Sequence, residues 1–294
     1  MLEFKGITIA DKERFDYYRQ YDPTDGSEGV FATMFIWNEY YNLELAENGE
    51  FLFIRFNIKG KNPSYFFPIG KGDLEKAINE LKEYSYSKGE KVAFRLVTQK
   101  NKEKLDNLFP KQFSFELDRD CADYVYLTEK MISLSGKKLH SKKNHLNYFL
   151  QNYNYLYMSI DTDELVEKCA QKAYKLIALK EKNKNAYEMG AMKAYFNNYS
   201  LLSQKGAVII VDNEIAAMTF GEKLNDDMAL IQIELADDKY RGAYQAINKM
   251  FCESEWKTLR YVNREEDMGI EGLRLAKLSY KPEMLIDKYK ITEL

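Results

Sequence analysis

The sequence is poor in the residues that mark disulfide-stabilised, metal-binding or loosely tethered proteins. Its three cysteines, Cys121, Cys169 and Cys252, are far apart and form no Cys-x-x-Cys pair, which argues against a disulfide framework and a zinc site. Only five prolines are present and there is no Gly/Ser-rich tract, so no flexible linker is predicted. We expect the cysteines to be reduced thiols buried in the core.

Long apolar segments and an excess of charge are also missing. No apolar run approaches the roughly 18–20 residues that a transmembrane helix needs. Residues 1–15 contain acids and no continuous apolar stretch, unlike a signal peptide. The net charge of −3 gives no overall attraction to nucleic acid or to an anionic membrane. The sequence therefore predicts a cytoplasmic protein in which a polyanion would bind only to a local basic patch.

Histidine is scarce, which limits the catalytic chemistry. The two histidines, His140 and His145, are five residues apart and do not share a helix face, so no metal site is predicted. A Ser-His-Asp or Cys-His arrangement would have to use one of them, and no nucleophile motif lies in a strand-turn-helix context. Acyl transfer to an amine needs instead a base, a positioned carbonyl and donors for the developing oxyanion.

Hydrophobic residues make up 45% and aromatic residues 14% of the chain, which is enough for one large or two ordinary domains with their own cores. The pattern is clearest in residues 206–251. There the periodicity and turn residues predict three strands joined by tight turns, a loop that contains Gly242, and an amphipathic helix. On the third strand, residues 228–236, the side chains of Gln232 and Glu234 share one face.

The first half of the chain shows the same order of predicted elements as the second half. Its segments are the strands 42–46, 51–57 and 64–69, a glycine loop, the helix 73–87 and the strand 92–97. We interpret this order as a degenerate internal duplication. The alternative is that α/β chains often look alike at this level of description.

Consecutive strands joined by tight turns, followed by a glycine loop and a helix, differ from a doubly wound fold, in which helices separate the strands. The arrangement resembles the GCN5-related N-acetyltransferase (GNAT) fold. The chain is also similar to the family of the carboxy-terminal catalytic domain of bacterial phosphatidylglycerol lysyltransferase, through residues 134–153, 239–248 and 263–282. The resemblance implies an α/β fold of the mixed-sheet α+β type with two tandem domains. These are a degenerate domain, residues 1–128, and a domain that carries the site, residues 129–294.

In acetyltransferases of this fold, the loop after the fourth strand resembles Arg/Gln-x-x-Gly-x-Gly/Ala and binds the pyrophosphate of acetyl-CoA through backbone N–H groups. The residues that match it here are Arg241, Gly242, Ala243 and Tyr244, with Tyr244 where a second glycine is usual. Two tandem domains with such a loop resemble the aminoacyl transferases that use charged tRNA. The resemblance therefore implies acyl-CoA or aminoacyl-tRNA as the donor.

Two residues are candidates for the chemistry. Glu234 lies on the strand before the glycine loop and is the first candidate for the base, or for the ligand of a substrate amine. Tyr280, in the run KLSYKP, could supply a hydroxyl donor near the acyl centre. The alternatives are a satisfied charge at the end of a strand for Glu234 and a packed aromatic side chain for Tyr280.

The most concentrated positive charge lies between residues 131 and 160, a window without an acid. Its basic residues are Lys137, Lys138, Lys142 and Lys143, here called the basic patch, together with both histidines. On a helix, the side chains of Lys138, Lys142 and His145 follow one face at i, i+4 and i+7. We predict an anion site for tRNA, CoA phosphates or an anionic lipid headgroup. The alternative is a solvated lysine face on a surface helix.

Further charged residues follow the last predicted strand of the second half. Asp267 could help to bind an amino group or could cap the next helix. Arg274 and Lys277, three residues apart on that helix, could hold a phosphate or form an ion pair with Glu271.

The function implied by the resemblance is transfer of an acyl or aminoacyl group from a tRNA ester or a CoA thioester to an amine or hydroxyl acceptor, with a lipid headgroup among the acceptors. Two alternatives stay open. One is a non-catalytic module of the same fold that binds a polyanion through the basic patch. The other is a small-molecule N-acetyltransferase that uses acetyl-CoA.

Overall fold

The computed structural model describes residues 2–180 and 186–294. In chain order, the strands are β1 (Lys5–Gly6), β2 (Leu43–Glu47), β3 (Phe51–Phe56), β4 (Ser64–Tyr65), β5 (Ile69–Gly70), β6 (Ala93–Thr98), β7 (Phe113–Leu117), β8 (Asp123–Leu127), β9 (Tyr155–Ser159), β10 (Lys205–Val211), β11 (Glu214–Lys223), β12 (Met228–Ala236), β13 (Tyr261–Asn263), β14 (Met284–Ile286) and β15 (Lys288–Glu293). The α-helices are α1 (Lys12–Arg19), α2 (Phe31–Ile36), α3 (Asn38–Tyr41), α4 (Leu74–Ser87), α5 (Gln99–Leu108), α6 (Thr128–Ser133), α7 (His140–Asn152), α8 (Asp163–Lys180), α9 (Ala186–Asn197), α10 (Tyr199–Leu202), α11 (Ala243–Glu255) and α12 (Glu271–Ser279). None of these helices is long and apolar enough to cross a membrane.

The chain divides into two compact units, Met1–Ala122 together with Ile286–Leu294, and Asp123–Leu285. The sheet of the first unit has the strand order β1-β2-β3-β4-β6-β15-β7, and β5 pairs with β3. The β4–β6 pair is parallel, whereas β15 is antiparallel to both of its neighbours. Helix α4 begins after Asp73, whose side chain accepts a hydrogen bond from the Lys76 N–H, and its apolar stripe packs into an aromatic core.

The sheet of the second unit has the strand order β14-β8-β13-β12-β11-β10-β9. The β10–β11 hairpin turns at Asp212 and Asn213, which both have positive φ (50° and 62°), as tight hairpin turns require. Strands β12 and β13 are parallel. Helix α11 buries Ala243, Ala246, Ile247 and Phe251 in the core of this unit.

One strand of each sheet is far in sequence from its neighbours. Strand β8 follows β7 along the chain but lies between β13 and β14, and β15 follows β14 but lies between β6 and β7. For this reason residues 123–128 belong to the second compact unit and residues 286–294 to the first, whereas the predicted ranges are 1–128 and 129–294. Alternating apolar residues predict a strand but do not tell which sheet it joins.

Candidate active site

Strands β12 and β13 part in the middle of the second sheet. Their parallel pairing runs from Met228 opposite Tyr261 to Leu230 opposite Asn263. Strand β13 ends there, while β12 continues to Ala236. Such an opening at the carboxyl ends of parallel strands is where open α/β sheets bind ligands.

The Glu234 carboxylate on β12 lies at this opening and is held by two donors. The Nη2 atom of Arg264 donates to Oε1 over 2.7 Å, and the Nδ2 atom of Asn248 on α11 donates to Oε2 over 2.7 Å. The side chains of Glu234 and Arg264 are only 10% and 14% exposed. Because removing one partner of a buried ion pair leaves an uncompensated charge, the two residues depend strongly on each other.

Two polar atoms next to this carboxylate have no hydrogen-bond partner among the described residues. They are Nη1 of Arg264, a donor, and Oδ1 of Asn248, an acceptor. Buried polar atoms are nearly always paired in folded proteins. A carbonyl oxygen near Arg264 and an N–H or O–H group near Asn248 would satisfy both, which fits an acyl group that carries such a hydrogen-bond donor.

Tyr280 follows α12 and contacts two cations. Its ring centroid lies 4.9 Å from the Arg264 guanidinium carbon and 4.5 Å from Nζ of Lys142, and its hydroxyl accepts a hydrogen bond of 3.3 Å from Gln245. Burial raises the pKa of Tyr280 to about 12, so the hydroxyl keeps its proton at neutral pH. Burial and the neighbouring Arg264 charge lower the pKa of Lys142. The structure therefore brings Glu234, Tyr280 and Lys142 together around Arg264.

Lys277 holds the backbone at Arg264 in place. Its Nζ atom donates to the carbonyl oxygens of Arg264 and Glu265. Burial, followed by the positive charge of Arg264, lowers the pKa of Lys277. These contacts give Lys277 a supporting position behind the Glu234–Arg264 pair, and not the phosphate-facing position that its spacing on the helix also allowed.

Asp267 and Arg274 form a separate ion pair. The Nε and Nη2 atoms of Arg274 donate to the two carboxylate oxygens of Asp267 over 2.9 and 2.8 Å, and Tyr124 and the Gly269 N–H donate to the same carboxylate. Arg274 thus pairs with Asp267. Burial raises the pKa of Asp267, but these donors outweigh it and lower the pKa to about 2.

The Asp267 contacts predict an acid-sensitive contribution to stability. Because the pKa lies near 3.8 in the unfolded chain and near 2 in the folded one, the contribution is complete above about pH 5 and is lost as the pH falls toward 2. We expect Asp267→Asn to lower the free energy of unfolding by about 2 kcal/mol at pH 7 and by only about 0.4 kcal/mol at pH 2. Urea unfolding from pH 2 to 7 measures the difference, with Asp238→Asn at an exposed position as the control. A difference that is the same at both pH values would contradict this origin.

The loop predicted to bind a cofactor is packed against α7. Gly242 has a φ of +90°, and a Cβ atom there would lie 2.1 Å from the carbonyl oxygen of His145. The Arg241 guanidinium stacks 4.5 Å from the Tyr148 ring, while Ala243 is buried and Tyr244 packs on the core. The missing side chain at Gly242 therefore admits a neighbouring helix. A cofactor role for residues 241–244 stays a prediction.

The lysines of the basic patch lie in different environments. Lys138 lies in a 3₁₀ turn, Lys137–Leu139, that precedes α7, and it is exposed, as is Lys143. Lys142 alone among the patch lysines turns toward Tyr280, while His145 is half-buried. No salt bridge joins Lys137, Lys138 or Lys143 to an acid within residues 2–180 and 186–294.

Three site residues were missed by the sequence analysis. Arg264 directly follows β13, and that position could have identified it because carboxyl ends of neighbouring strands meet at one edge of a sheet. Gln245 and Asn248 are three residues apart on α11, next to its apolar stripe. Two polar residues beside the buried apolar stripe of a helix could have indicated that their side chains face the site. Within the described residues, no group of His, Cys, Asp and Glu side chains could hold a metal ion.

Comparison with known proteins gives consistent results. The family model "Phosphatidylglycerol lysyltransferase, C-terminal" matches residues 19–292. A conserved protein of unknown function from Bacteroides thetaiotaomicron is 31% identical, with a TM-score of 0.91 over 100% of both chains. The C-terminal domain of a putative lysylphosphatidylglycerol synthetase from Agrobacterium fabrum is 14% identical, with a TM-score of 0.72 over 98% of this chain and 92% of that chain. A tandem GNAT protein from the clavulanic acid pathway is 10% identical, with a TM-score of 0.51 over 100% and 98%.

These findings confirm the predicted fold class, two mixed sheets in a tandem GNAT-like arrangement. They also confirm the family resemblance seen in the sequence, because the family model covers nearly the whole chain. The chain belongs to the phosphatidylglycerol lysyltransferase C-terminal family.

Proposed function

We propose that the protein transfers an acyl group, and specifically an aminoacyl group, from an activated ester to an amine or hydroxyl acceptor. The observation that carries the proposal is the buried Glu234–Arg264 pair at the parting of β12 and β13, with the unpaired Nη1 of Arg264 beside it. A carboxylate and a neighbouring donor without a partner are the two groups that attack on a carbonyl requires. Membership of the lysyltransferase family supports the same reaction class.

The reaction assigns a role to each group. The acceptor nitrogen or oxygen attacks the carbonyl carbon, and Glu234 takes the acceptor proton. Arg264 Nη1 donates to the oxyanion of the tetrahedral intermediate. The carbon–oxygen bond to the donor then breaks, and the leaving oxygen receives a proton from the Tyr280 hydroxyl, which its raised pKa keeps protonated. Proton exchange with the solvent restores Glu234 and Tyr280 before the next turnover.

An aminoacyl ester of tRNA fits the site better than acetyl-CoA. In the proposed reaction the α-amino group of the donor would lie near Asn248 Oδ1, the unpaired acceptor. The loop that would hold the pyrophosphate of CoA packs on α7 through Gly242. The exposed lysines Lys138 and Lys143 would bind the phosphates of the donor.

Donor binding is tested with charged tRNA, the same tRNA uncharged, and acetyl-CoA. A ligand present at about a hundred times its Kd adds about 2.7 kcal/mol to stability and raises the melting temperature measurably. We expect this rise with charged tRNA and not with acetyl-CoA. Transfer is followed as radiolabelled amino acid that appears in the lipid when phosphatidylglycerol vesicles are supplied as acceptor, and as loss of label from tRNA beyond the loss measured without protein. No rise with any of the three ligands, together with no loss of label, would overturn the proposal.

A non-catalytic polyanion-binding module is the second candidate, favoured by the exposed lysines of the basic patch. We expect Lys138→Ala with Lys143→Ala to reduce the slope of log K against log salt for tRNA by about 0.7 to 0.9 per lysine. The matched control replaces Lys61 and Lys257, which are also exposed. Salt-dependent binding of tRNA without any transfer would favour the module over the enzyme.

A further inference from the structure

An uncharged segment, residues 151–160, forms the strand β9 and its flanks. It contains neither proline nor glycine. Tyr155 and Tyr157 on one face of the strand pack on the core of the second unit. Leu156 and Met158 on the other face are 56% and 38% exposed. β9 therefore presents apolar side chains to solvent on the face where an antiparallel strand usually has polar ones.

Strand β9 also has a free hydrogen-bonding edge. It is the last strand of the second sheet and pairs with β10 alone among the described strands. The Ile160 N–H donates to the Gly206 carbonyl oxygen of β10. Because backbone groups alternate in direction along an antiparallel strand, every second residue of β9 points its N–H and C=O groups away from β10. These residues are Tyr155, Tyr157 and Ser159.

The other edges of the two described sheets are protected against pairing with another chain. Native edge strands are often very short or carry a charge. β1 and β14 have two and three residues, and β7 has the exposed Glu116. β9 has five uncharged residues that pair with β10 in a regular register without a bulge. Of these edges, β9 is therefore the one most suited to accept another strand.

We propose that β9 pairs with β9 of a second copy of the chain, antiparallel about a two-fold axis at Tyr157. In this register Tyr157 lies opposite its own counterpart, and Tyr155 lies opposite Ser159 of the second copy. All the outward N–H and C=O groups of the strand then form hydrogen bonds. Leu156 lies opposite Met158 of the second copy, so each exposed apolar side chain covers another one.

The absence of charge favours a second copy over a different partner. A strand that pairs with itself brings each charge that it carries close to the same charge in the second copy, and such like-charge contacts are destabilising. Residues 151–160 avoid this cost because they carry no charge. One five-residue strand per copy gives less contact than the standard interface of about 800 Å² per partner. The dimer should therefore be weak and reversible.

Sedimentation velocity of the full chain, from about 1 to about 200 µM, tests the association. We expect a reversible equilibrium between monomer and dimer. Two variants place like charges opposite each other across the axis, Leu156→Lys with Met158→Lys and Leu156→Glu with Met158→Glu. Each should raise the Kd of its own dimer at least about tenfold. Leu275→Lys on α12 is the matched control, because Leu275 is 61% exposed outside β9; its dimer should form as the parent dimer does.

A mixture of the two charged variants tests the register. In equal amounts they should associate with each other, because each lysine then lies opposite a glutamate. Amide hydrogen exchange gives an independent measurement. The N–H groups of Tyr155, Tyr157 and Ser159 should exchange at least about tenfold more slowly in the dimer than in the monomer.

The pairing is refuted by a parent protein that stays monomeric over the whole concentration range, or by a mixture of the charged variants that does not associate. Charged variants that dimerise as tightly as the parent would place the interface on another surface and also refute it. The substituted side chains are exposed, so an unchanged melting temperature shows that each variant is folded. Since these experiments measure association alone, their outcome is independent of whether the protein transfers an aminoacyl group.

Discussion

Replacing Glu234 by glutamine should lower the rate of aminoacyl transfer by about 10²- to 10⁴-fold while donor binding changes little. Glutamine keeps the shape of the side chain but cannot take the acceptor proton. Single-turnover measurement of transfer, with donor affinity measured separately, checks both parts. Glu214→Gln is the control, because that carboxylate is exposed on β11 and pairs with Lys239. A Glu234→Gln variant that transfers at the parental rate would remove Glu234 from the chemistry.

A double-mutant cycle separates this chemical role from a structural one. Either Glu234→Gln or Arg264→Met leaves one buried charge unpaired, which costs about 3–5 kcal/mol of stability. The double variant removes both charges and should lose much less than the sum of the two single losses. The double variant should regain stability relative to the single variants, but its rate of aminoacyl transfer should stay low. If the double variant transfers the aminoacyl group, the pair serves the fold and not the reaction.

Replacing Ile291 by aspartate should lower the free energy of unfolding of the first unit by more than about 3 kcal/mol, because it would place an unpaired carboxylate in an apolar core. Ile291 is 0% exposed and lies between Phe94 on β6 and Phe115 on β7. Leu294→Asp is the matched control, since Leu294 is 68% exposed. We expect it to change stability by less than about 0.5 kcal/mol.

The two tryptophans allow this unfolding to be assigned to a unit. Trp37 lies in the first unit and Trp256 in the second, so variants with one tryptophan each report on one unit during urea unfolding. We expect the larger shift in the Trp37 transition. A shift confined to Trp256 would show that β15 does not stabilise the first sheet.

Local elements of the fold could be predicted from the sequence because neighbouring residues determine them. The helix predicted at 73–87 is α4, Leu74–Ser87, with Asp73 as its cap. The strand predicted at 64–69 is two short strands, Ser64–Tyr65 and Ile69–Gly70. Pro68 lies between them, and a proline cannot donate a hydrogen bond to a β-ladder.

The site was only partly predictable because it depends on contacts between distant segments. The position of Glu234 followed from one strand and the helix after it. Its partner Arg264 comes 30 residues later, and only the parting of β12 and β13 brings the two together. At Gly242 the sequence pattern did not indicate the neighbouring helix. Its loop matched a phosphate-binding pattern, and in the structure the His145 carbonyl oxygen of α7 approaches Gly242.

The position of β15 in the first sheet affects the order in which the two units can fold during synthesis. On the ribosome, residues 1–122 emerge before residues 286–294, which contain the strand between β6 and β7. The first unit therefore exposes two unpaired strand edges while the rest is synthesised, although domains usually fold in the order of synthesis. The second unit, 123–285, has all of its own strands earlier. We expect the second unit to fold first because its last strand is made before β15. Residues 1–122 would then need protection from edge-to-edge aggregation until synthesis reaches β15.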